Sequence, residues 1–481
     1  MNGGMICYLL GKIMELTGAM MVCPFVVALI YHERSGIYFV ACGAATLALG
    51  FLMSHLVRIK KRDFYARESF VITALSWILL SVAGCLPLYL SHEIPHFYDA
   101  LFETISGFTT TGASILPAVE EMSHCMNFWR CMIQLIGGMG VLVFMLALLP
   151  STGGQDLYLM KAESPGPSVG KLMPRVRQTA YYLYIIYFVL TGLEIICLKI
   201  AGAPLFDSIC TAFTTTSTGG FGVRNDSLAS YGPGVQYVIS VFLFFSGLNY
   251  NFFFCLWMKR WKEAFGSEEV RLYRRIFFAA VVMITLNLFL VHGWEGEESF
   301  RHAFLQVGSI MTTAGFSSAD FDLWPSFSKE ILILLMLIGG CAGSTCGGIK
   351  ISRVLIYLKT VGKELSQLCH PRSVKVLKIE GKALPHNVLR SANIFLITYA
   401  LLFVLSVLLI SLDGFDHETN FTAVASALGN IGPGFSAVGP TRNFADFSVM
   451  SKYVLMFDML AGRLELFPLL VLISPATWRR R

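Results

Sequence analysis

Runs of roughly 20 apolar residues recur along the whole chain, the length a helix needs to cross the hydrocarbon of a bilayer. In lipid every backbone N–H and C=O must find a partner within the protein, which leaves only helices and closed barrels as spanning structures. Barrel strands are about 10 residues of alternating character, so these longer runs predict helices. Composition agrees. Of the 481 residues 55% are hydrophobic and 14% charged, with a mean hydropathy of +0.63, whereas about a quarter of a soluble protein is charged. The chain reads as an all-α integral membrane protein, seated in membrane lipid.

Spans are expected near 5–31, 36–57, 70–90, 126–150, 178–201, 233–258, 272–292, 328–348, 389–412 and 447–475. Ten transmembrane helices put both termini on one side. The first run is too long for a signal peptide and has no small-residue cleavage site, so it is expected to be a retained span. Basic residues cluster in alternate connections: 58–69, 151–177, 259–275, 350–390 and the terminal Arg479, Arg480 and Arg481. By the positive-inside rule these connections and both termini are cytoplasmic. The net charge of +6 comes from these narrow bands and is not a nucleic-acid footprint. The other connections carry acids such as Glu93, Asp99, Glu103, Glu120, Glu121, Asp320 and Asp322, and an acidic outer mouth would concentrate cations. The 12 cysteines form no C-x-x-C pair and read as small buried apolar side chains rather than metal ligands.

One outer connection holds "SGFTTTGASIL" (106–116), and it has three relatives. Without gaps they align as "DALFETISGFTTTG" (99–112), "DSICTAFTTTSTGG" (207–220), "HAFLQVGSIMTTAG" (302–315) and "TNFTAVASALGNIG" (419–432), making Gly112, Gly220, Gly315 and Gly432 equivalent. Each copy lies between two spans. A single Thr/Ser/Gly patch is an ordinary turn or a helix-packing surface; four at one offset predict four span–pore helix–span units in a pseudo-fourfold arrangement around a central pore. The divisions are 1–69 for two N-terminal transmembrane helices, then units at 70–177, 178–271, 272–388 and 389–481. Non-helical backbone at membrane depth is tolerated where it lines a watery cavity. Four extended turns there can offer rings of carbonyl oxygens that replace a cation's hydration shell.

The eighth span breaks at "GGCAGSTCGGIK" (339–350), where Gly339, Gly340, Gly343, Ser344, Thr345, Gly347 and Gly348 fall in place of a helix. Each glycine costs a helix interior about 1 kcal/mol relative to alanine. The segment is no P-loop, because Lys350 follows Ile349 and precedes Ile351. It reads as a movable loop that obstructs the pore, with close GxxxG-type packing as the plainer alternative. In the tenth span Arg463 sits in an apolar setting, a functional position by default. Asp458 and Glu465 are candidate partners for a structural ion pair; otherwise its charge faces the pore near the loop.

The four glycine-ended turns, "GGCAGST" (339–345) and "AGRLELFPLLVL" (461–472) resemble the Trk/Ktr/HKT superfamily of potassium transporters. The two extra N-terminal spans, "KAESPGP" (161–167) and "HPRSVKVLKIEGKALP" (370–385) resemble its bacterial TrkH branch. The resemblance implies a homodimeric potassium-conducting subunit of the bacterial inner membrane, with no covalent cofactor and with K⁺ as the transported ion. It implies main-chain K⁺ ligands at Thr110 and Thr111, Thr218 and Gly219, Thr313 and Ala314, and Asn430 and Ile431, each pair followed by its glycine. It makes 339–348 the gate loop and Arg463 the family's arginine, with Cys346 standing where the family pattern has glycine. It also implies a cytoplasmic nucleotide-binding (RCK-type) regulatory subunit, carried on another chain because no G-x-G-x-x-G follows a strand here. Gly112, rather than serine, argues by the same resemblance for potassium over sodium.

Two other classes compete. A secondary transporter for another monovalent cation or a small solute is also built from repeats and broken helices, but often from inverted ones, and these repeats all enter from one side. An enzyme needs a converging nucleophile–base set or a metal site, and the sequence has no H-E-x-x-H, so no catalytic residue is expected.

Overall fold

The computed structural model describes residues 2–56, 65–140, 176–372 and 375–479. Most of the basic connection 58–69, the end of the fourth expected span, the segment 161–167 with Lys171 and Arg175, and Arg480 and Arg481 lie outside the described residues. Among those described, the fold is helical apart from one hairpin. There Lys378 pairs with Ala383 and Ile379 with Lys382 in antiparallel register. Glu380 and Gly381 turn it with φ of 52° and 77°, the left-handed pair a two-residue hairpin requires.

Among the described residues six helices are long and apolar enough to cross a membrane: Gly3–Tyr31, Gly36–His55, Ala66–Leu90, Ala180–Ile200, Glu268–Val291 and His386–Asp413. A seventh arises if Pro233–Ser246 and Tyr250–Trp257 count as one span despite a 92° bend. Their outward faces are apolar and exposed, as at Ile200, Leu290 and Leu401, which suits lipid and not water. The first two spans pack through glycines. Gly11 lies against Gly50 and Gly18 against Gly43, so closely that a methyl on any of the four would press on the partner helix. Without a hydrophobic force between helices in lipid, such close backbone approach is what holds them together.

The rest of the chain repeats one order four times: a long helix, a short one, a turn, and a second helix. The short helices are Phe97–Phe108, Leu205–Thr216, Gly296–Met311 and His417–Gly429. Each carries acid in its first turn (Asp99, Asp207, Glu297 with Glu298, Glu418), where the helix dipole favours negative charge. Trp129 on the first unit's second helix donates its indole N–H to Gly84 O at 3.0 Å. Gly84 in turn has no room for a methyl because the Phe108 ring and Thr104 fill the space. Long, short and second helices thus lock at one point.

The second helices differ from expectation. They are His124–Gly138, Pro233–Ser246, Ser326–Ile338 and Val449–Arg463, of 15, 14, 13 and 15 residues. At about 1.5 Å per residue none crosses a hydrocarbon core of about 30 Å. Only the third break was expected; the sixth and tenth spans, anticipated as continuous, are also interrupted, at 247–249 and 464–466. The cause is steric. These segments run against the ends of the short helices, where a side chain at Gly137 would collide with Phe108 O, at Gly347 with Gly429 O and at Gly462 with Leu428 O. Glycine is kept at helix-breaking cost because nothing larger fits.

Candidate functional site: four converging turns and the loop against them

Each short helix ends in the same two-bond closure. Thr110 N–H donates to Gly107 O at 3.0 Å and Thr111 N–H to Ser106 O at 2.8 Å. The matching pairs are Thr218 to Thr215 and Gly219 to Thr214, Thr313 to Ile310 and Ala314 to Ser309, and Asn430 to Ala427 and Ile431 to Ser426. This is the Schellman arrangement, which needs a left-handed residue after the helix. Thr110, Thr218, Thr313 and Asn430 supply it, with φ of 54°, 55°, 59° and 55°. Asparagine adopts this backbone readily, whereas a β-branched residue there is an outlier that costs about 1–3 kcal/mol. Three strained threonines in equivalent positions mark the turns as held by their surroundings.

The four turns close into one ring in chain order. A methyl on Gly112 would collide with Gly219 O, on Gly220 with Ala314 O, on Gly315 with Ile431 O, and on Gly432 with Thr111 O. The glycines have φ of 78°, 78°, 85° and 106°, so a side chain is disfavoured by backbone as well as by space. All four line a single cavity of 140 Å³, together with Phe221, Pro433 and Phe444. The residues expected as ion ligands are buried without exception. Among the described residues, no hydrogen bond reaches the carbonyl oxygen of Thr110, Thr111, Thr218, Thr313, Ala314, Asn430 or Ile431. The Gly219 oxygen accepts one, at 2.7 Å, from the side chain of Gln134. Buried carbonyls are normally paired, so seven unpaired ones in four adjacent turns are exceptional.

The glycine-rich loop 339–348 packs directly on these turns. Its Thr345 hydroxyl donates to Thr216 O at 3.3 Å and accepts from the Thr218 hydroxyl at 3.2 Å. Gly347 N–H donates to the Thr313 hydroxyl at 2.7 Å. Gly339, Gly343 and Gly348 have φ of 77°, 78° and 74°; a methyl on Gly339 would overlap the Gly347 carbonyl, and one on Gly348 would press on Gly339. Cys346 touches Gly340, where a methyl would meet its sulfur. Outside the turns, Cys341 N–H donates to Gly247 O and Tyr250 N–H to Gly343 O, each at 3.0 Å. The Glu269 carboxylate accepts from Ala342 N–H at 2.7 Å. Ser344 closes the loop internally on Cys341 O at 2.7 Å. The unexpected break at 247–249 is therefore the seat of this loop.

Arg463 reaches the loop too, donating to Thr345 O at 2.7 Å and to the carbonyls of Gly137 and Gly138. Arg463 therefore lies beside the loop. The carboxylates named as its partners are engaged elsewhere: Glu465 pairs with Arg353, and Asp458 accepts from Ser406 at 2.8 Å.

The cavity against the ring glycines is not acidic among the described residues. Its lining includes Arg130, Arg224 and Arg442 and no carboxylate. Three of the acids expected at that mouth serve as structural acceptors. Glu103 binds Arg130, Ser114 and Ile115 N–H, Asp99 binds Lys452 at 2.8 Å, and Glu120 accepts from Asn225 N–H. Burial and the facing Asp207 carboxylate push the Tyr231 phenol far above its ordinary range, so it remains a donor to Asp207 at 2.6 Å. Sequence reasoning missed Gln134 and the Glu103–Arg130 pair. The signal available was a lone amide and a lone guanidinium within the apolar "FWRCMIQLIGG", each costly in a membrane unless employed.

Several apolar spans, four repeated turns closed into a ring and a loop packed on that ring define a multi-pass membrane protein built around a narrow polar centre. The chain belongs to the TrkH family: a profile of that family, described as cation transport protein, matches residues 35–480. It is 37% identical over 477 residues, 98% of each chain, to the Trk system potassium uptake protein TrkH of Salmonella typhimurium and equally to that of Escherichia coli K12. The Trk system potassium uptake protein TrkG of Escherichia coli K12 is 32% identical over 478 residues, 98% of each chain. The crystal structure of the potassium transporter TrkH from Vibrio parahaemolyticus superposes with a TM-score of 0.89 at 33% identity, covering 100% of both chains.

Proposed function

We propose that this protein takes up potassium across the bacterial inner membrane, passing the dehydrated ion along an axis ringed by the four turns. The carrying observation is the belt of buried main-chain oxygens from Thr110, Thr111, Thr218, Thr313, Ala314, Asn430 and Ile431 that accept no hydrogen bond among the described residues. A buried acceptor left unmade costs about 1–3 kcal/mol. A monovalent cation, as substrate, offsets that cost, and rings of such oxygens stand in for its water. The carboxyl ends of four short helices, partially negative, point the same way. The naming of the relatives as potassium uptake proteins supports the choice of ion.

In this reading residues 70–177, 178–271, 272–388 and 389–481 are the four pore units of a ten-helix protein, and 1–69 flank them. The loop 339–348 is the gate. Support comes from its bonds to Thr216, Thr218 and Thr313, and from Arg463, which ties it to the first unit. The termini and the basic connections face the cytoplasm. There the 350–390 segment, with its exposed hairpin, is the docking surface for an RCK-type nucleotide-binding regulator, and the pore subunit works as a homodimer. Naming of the relatives as parts of a Trk system supports a partner.

The test is flux into proteoliposomes. K⁺ and Rb⁺ should pass far faster than Na⁺ and Li⁺, and the chain should restore growth at low external K⁺ to a potassium-uptake-deficient strain. Equal fluxes of all four alkali cations would overturn the carbonyl-ring reading.

A further inference from the structure

We propose that Gln134 is a positioning residue for ion selection: it clamps the second turn and weakens the pull of the Gly219 carbonyl on the ion. The inference rests on the ring of turns being the ion path.

Gln134 lies on the first unit's second helix, His124–Gly138, and is fully buried. Its Nε2 donates to Gly219 O at 2.7 Å, and its Oε1 accepts from Phe221 N–H at 3.1 Å. The two partners fix the amide's orientation, since one is only an acceptor and the other only a donor. They flank Gly220, whose Cα faces the Ala314 carbonyl of the third turn. Gly219 itself does not have the positive φ that explains the ring glycines. What excludes a side chain there is the Gln134 amide, with which a methyl would overlap. The equivalent positions in the other turns hold Thr111, Ala314 and Ile431. Among the described residues, only the second turn has its carbonyl at this position bonded by a side-chain amide from a neighbouring unit.

The consequence concerns field strength. Of the four equivalent carbonyls, those of Thr111, Ala314 and Ile431 accept no hydrogen bond among the described residues, while Gly219 O already shares its density with a donor. A weaker ligand field favours the larger ion, whose water is cheaper to remove, and selectivity in such filters depends on the number and field strength of the carbonyls. Gln134 thus biases the ring towards K⁺ and also holds the turn in place.

The experiment compares Rb⁺ and Na⁺ fluxes in proteoliposomes of the full chain. Gln134→Met keeps the volume and removes both bonds. The Rb⁺ to Na⁺ ratio should fall by about tenfold, the equivalent of one modest hydrogen bond, in protein that still melts cooperatively. An unchanged ratio in such protein overturns the proposal. If that variant fails to fold, the pair Gln134→Ala with Gly219→Ala replaces it. Gly219→Ala alone should lose transport, and the pair should regain it with a lowered ratio; regained transport at the original ratio, or no regain, would count against the clamp. Gly220→Ala separates the two levels of the argument. If it lowers the ratio and Gln134→Met does not, only the role of Gln134 fails; if neither changes it, the ring is not the filter.

Discussion

Replacing Gly220 by alanine addresses the ring most sharply. Gly220 has φ of 78°, and its new methyl would overlap the Ala314 carbonyl oxygen of the next turn. The left-handed backbone alone costs an alanine about 1–2 kcal/mol. Relief of the overlap requires the Ala314 carbonyl to swing away, which removes one charge-assisted ligand worth about 1.5–3 kcal/mol. That second quantity is what the ion feels, and it corresponds to a loss of about 10- to 100-fold in the preference for K⁺ over Na⁺. The assay is ⁸⁶Rb⁺ and ²²Na⁺ uptake into proteoliposomes at matched amounts of folded protein. Gly202→Ala is the control, because Gly202 has φ of 96° but nothing within 4 Å of the added methyl. It should lower the melting temperature and leave the flux ratio alone. A Gly220→Ala protein with the wild-type ratio would refute the reasoning.

Further expectations can be checked with similar tools. Deleting 340–346 should raise resting Rb⁺ flux because Thr345 and its bonds to Thr216 and Thr218 are removed; flux falling to background in a folded deletion would rule the loop out as an obstruction. Arg463→Ala removes the donors to Thr345, Gly137 and Gly138 and should also raise resting flux, whereas protein that is merely unstable, with normal flux per folded molecule, would leave Arg463 a packing residue. Glu33 accepts from His124 N–H at 2.7 Å and Cys125 N–H at 2.9 Å. It thereby caps the helix His124–Gly138 from outside; burial raises its pKa, but these bonds outweigh it and hold the carboxyl below its usual value of 4.5. Its contribution is therefore present above that value and lost as the pH falls through the lowered one. Glu33→Ala should cost about 1 kcal/mol near neutral pH, seen as a lower melting temperature in detergent, with the gap to wild type closing as the pH falls through the lowered value. A gap that stays constant with pH would mean the carboxylate charge is not what caps the helix.

The long spans were legible because a 20-residue apolar run has few other uses, and six of them stand as helices. The four turns were legible through repetition: one Thr/Gly patch is ambiguous, but the offset shared by Gly112, Gly220, Gly315 and Gly432 survives divergence because each glycine abuts a carbonyl that tolerates nothing larger. The break at 339–348 was visible from glycine density. Those at 247–249 and 464–466 were not, since a single glycine, Gly247 or Gly462, is within what a continuous helix tolerates; the groups that crowd them, the Tyr273 and Thr312 side chains and the Leu428 carbonyl, come from other elements. Between the two readings left open for Arg463 the sequence could not choose, for a related reason. Nearness in sequence suggested an ion pair, while the tertiary fold brought Arg353 to Glu465, Ser406 to Asp458 and the loop carbonyl of Thr345 to Arg463. Several acids expected to attract cations are engaged structurally instead: Glu103 with Arg130, Asp99 with Lys452 and Glu120 with Asn225 N–H. A charge count along the sequence cannot register that.

Crystals grown in Rb⁺ or Tl⁺ and measured for anomalous scattering give the most direct check on where the ion sits. Peaks should fall inside the ring, within coordination distance of the carbonyl oxygens of Thr110, Thr111, Thr218, Gly219, Thr313, Ala314, Asn430 and Ile431, and should fade when Na⁺ replaces the heavier ion. Peaks confined to other sites, with these oxygens turned towards protein donors, would contradict the assignment of the four turns as the potassium path.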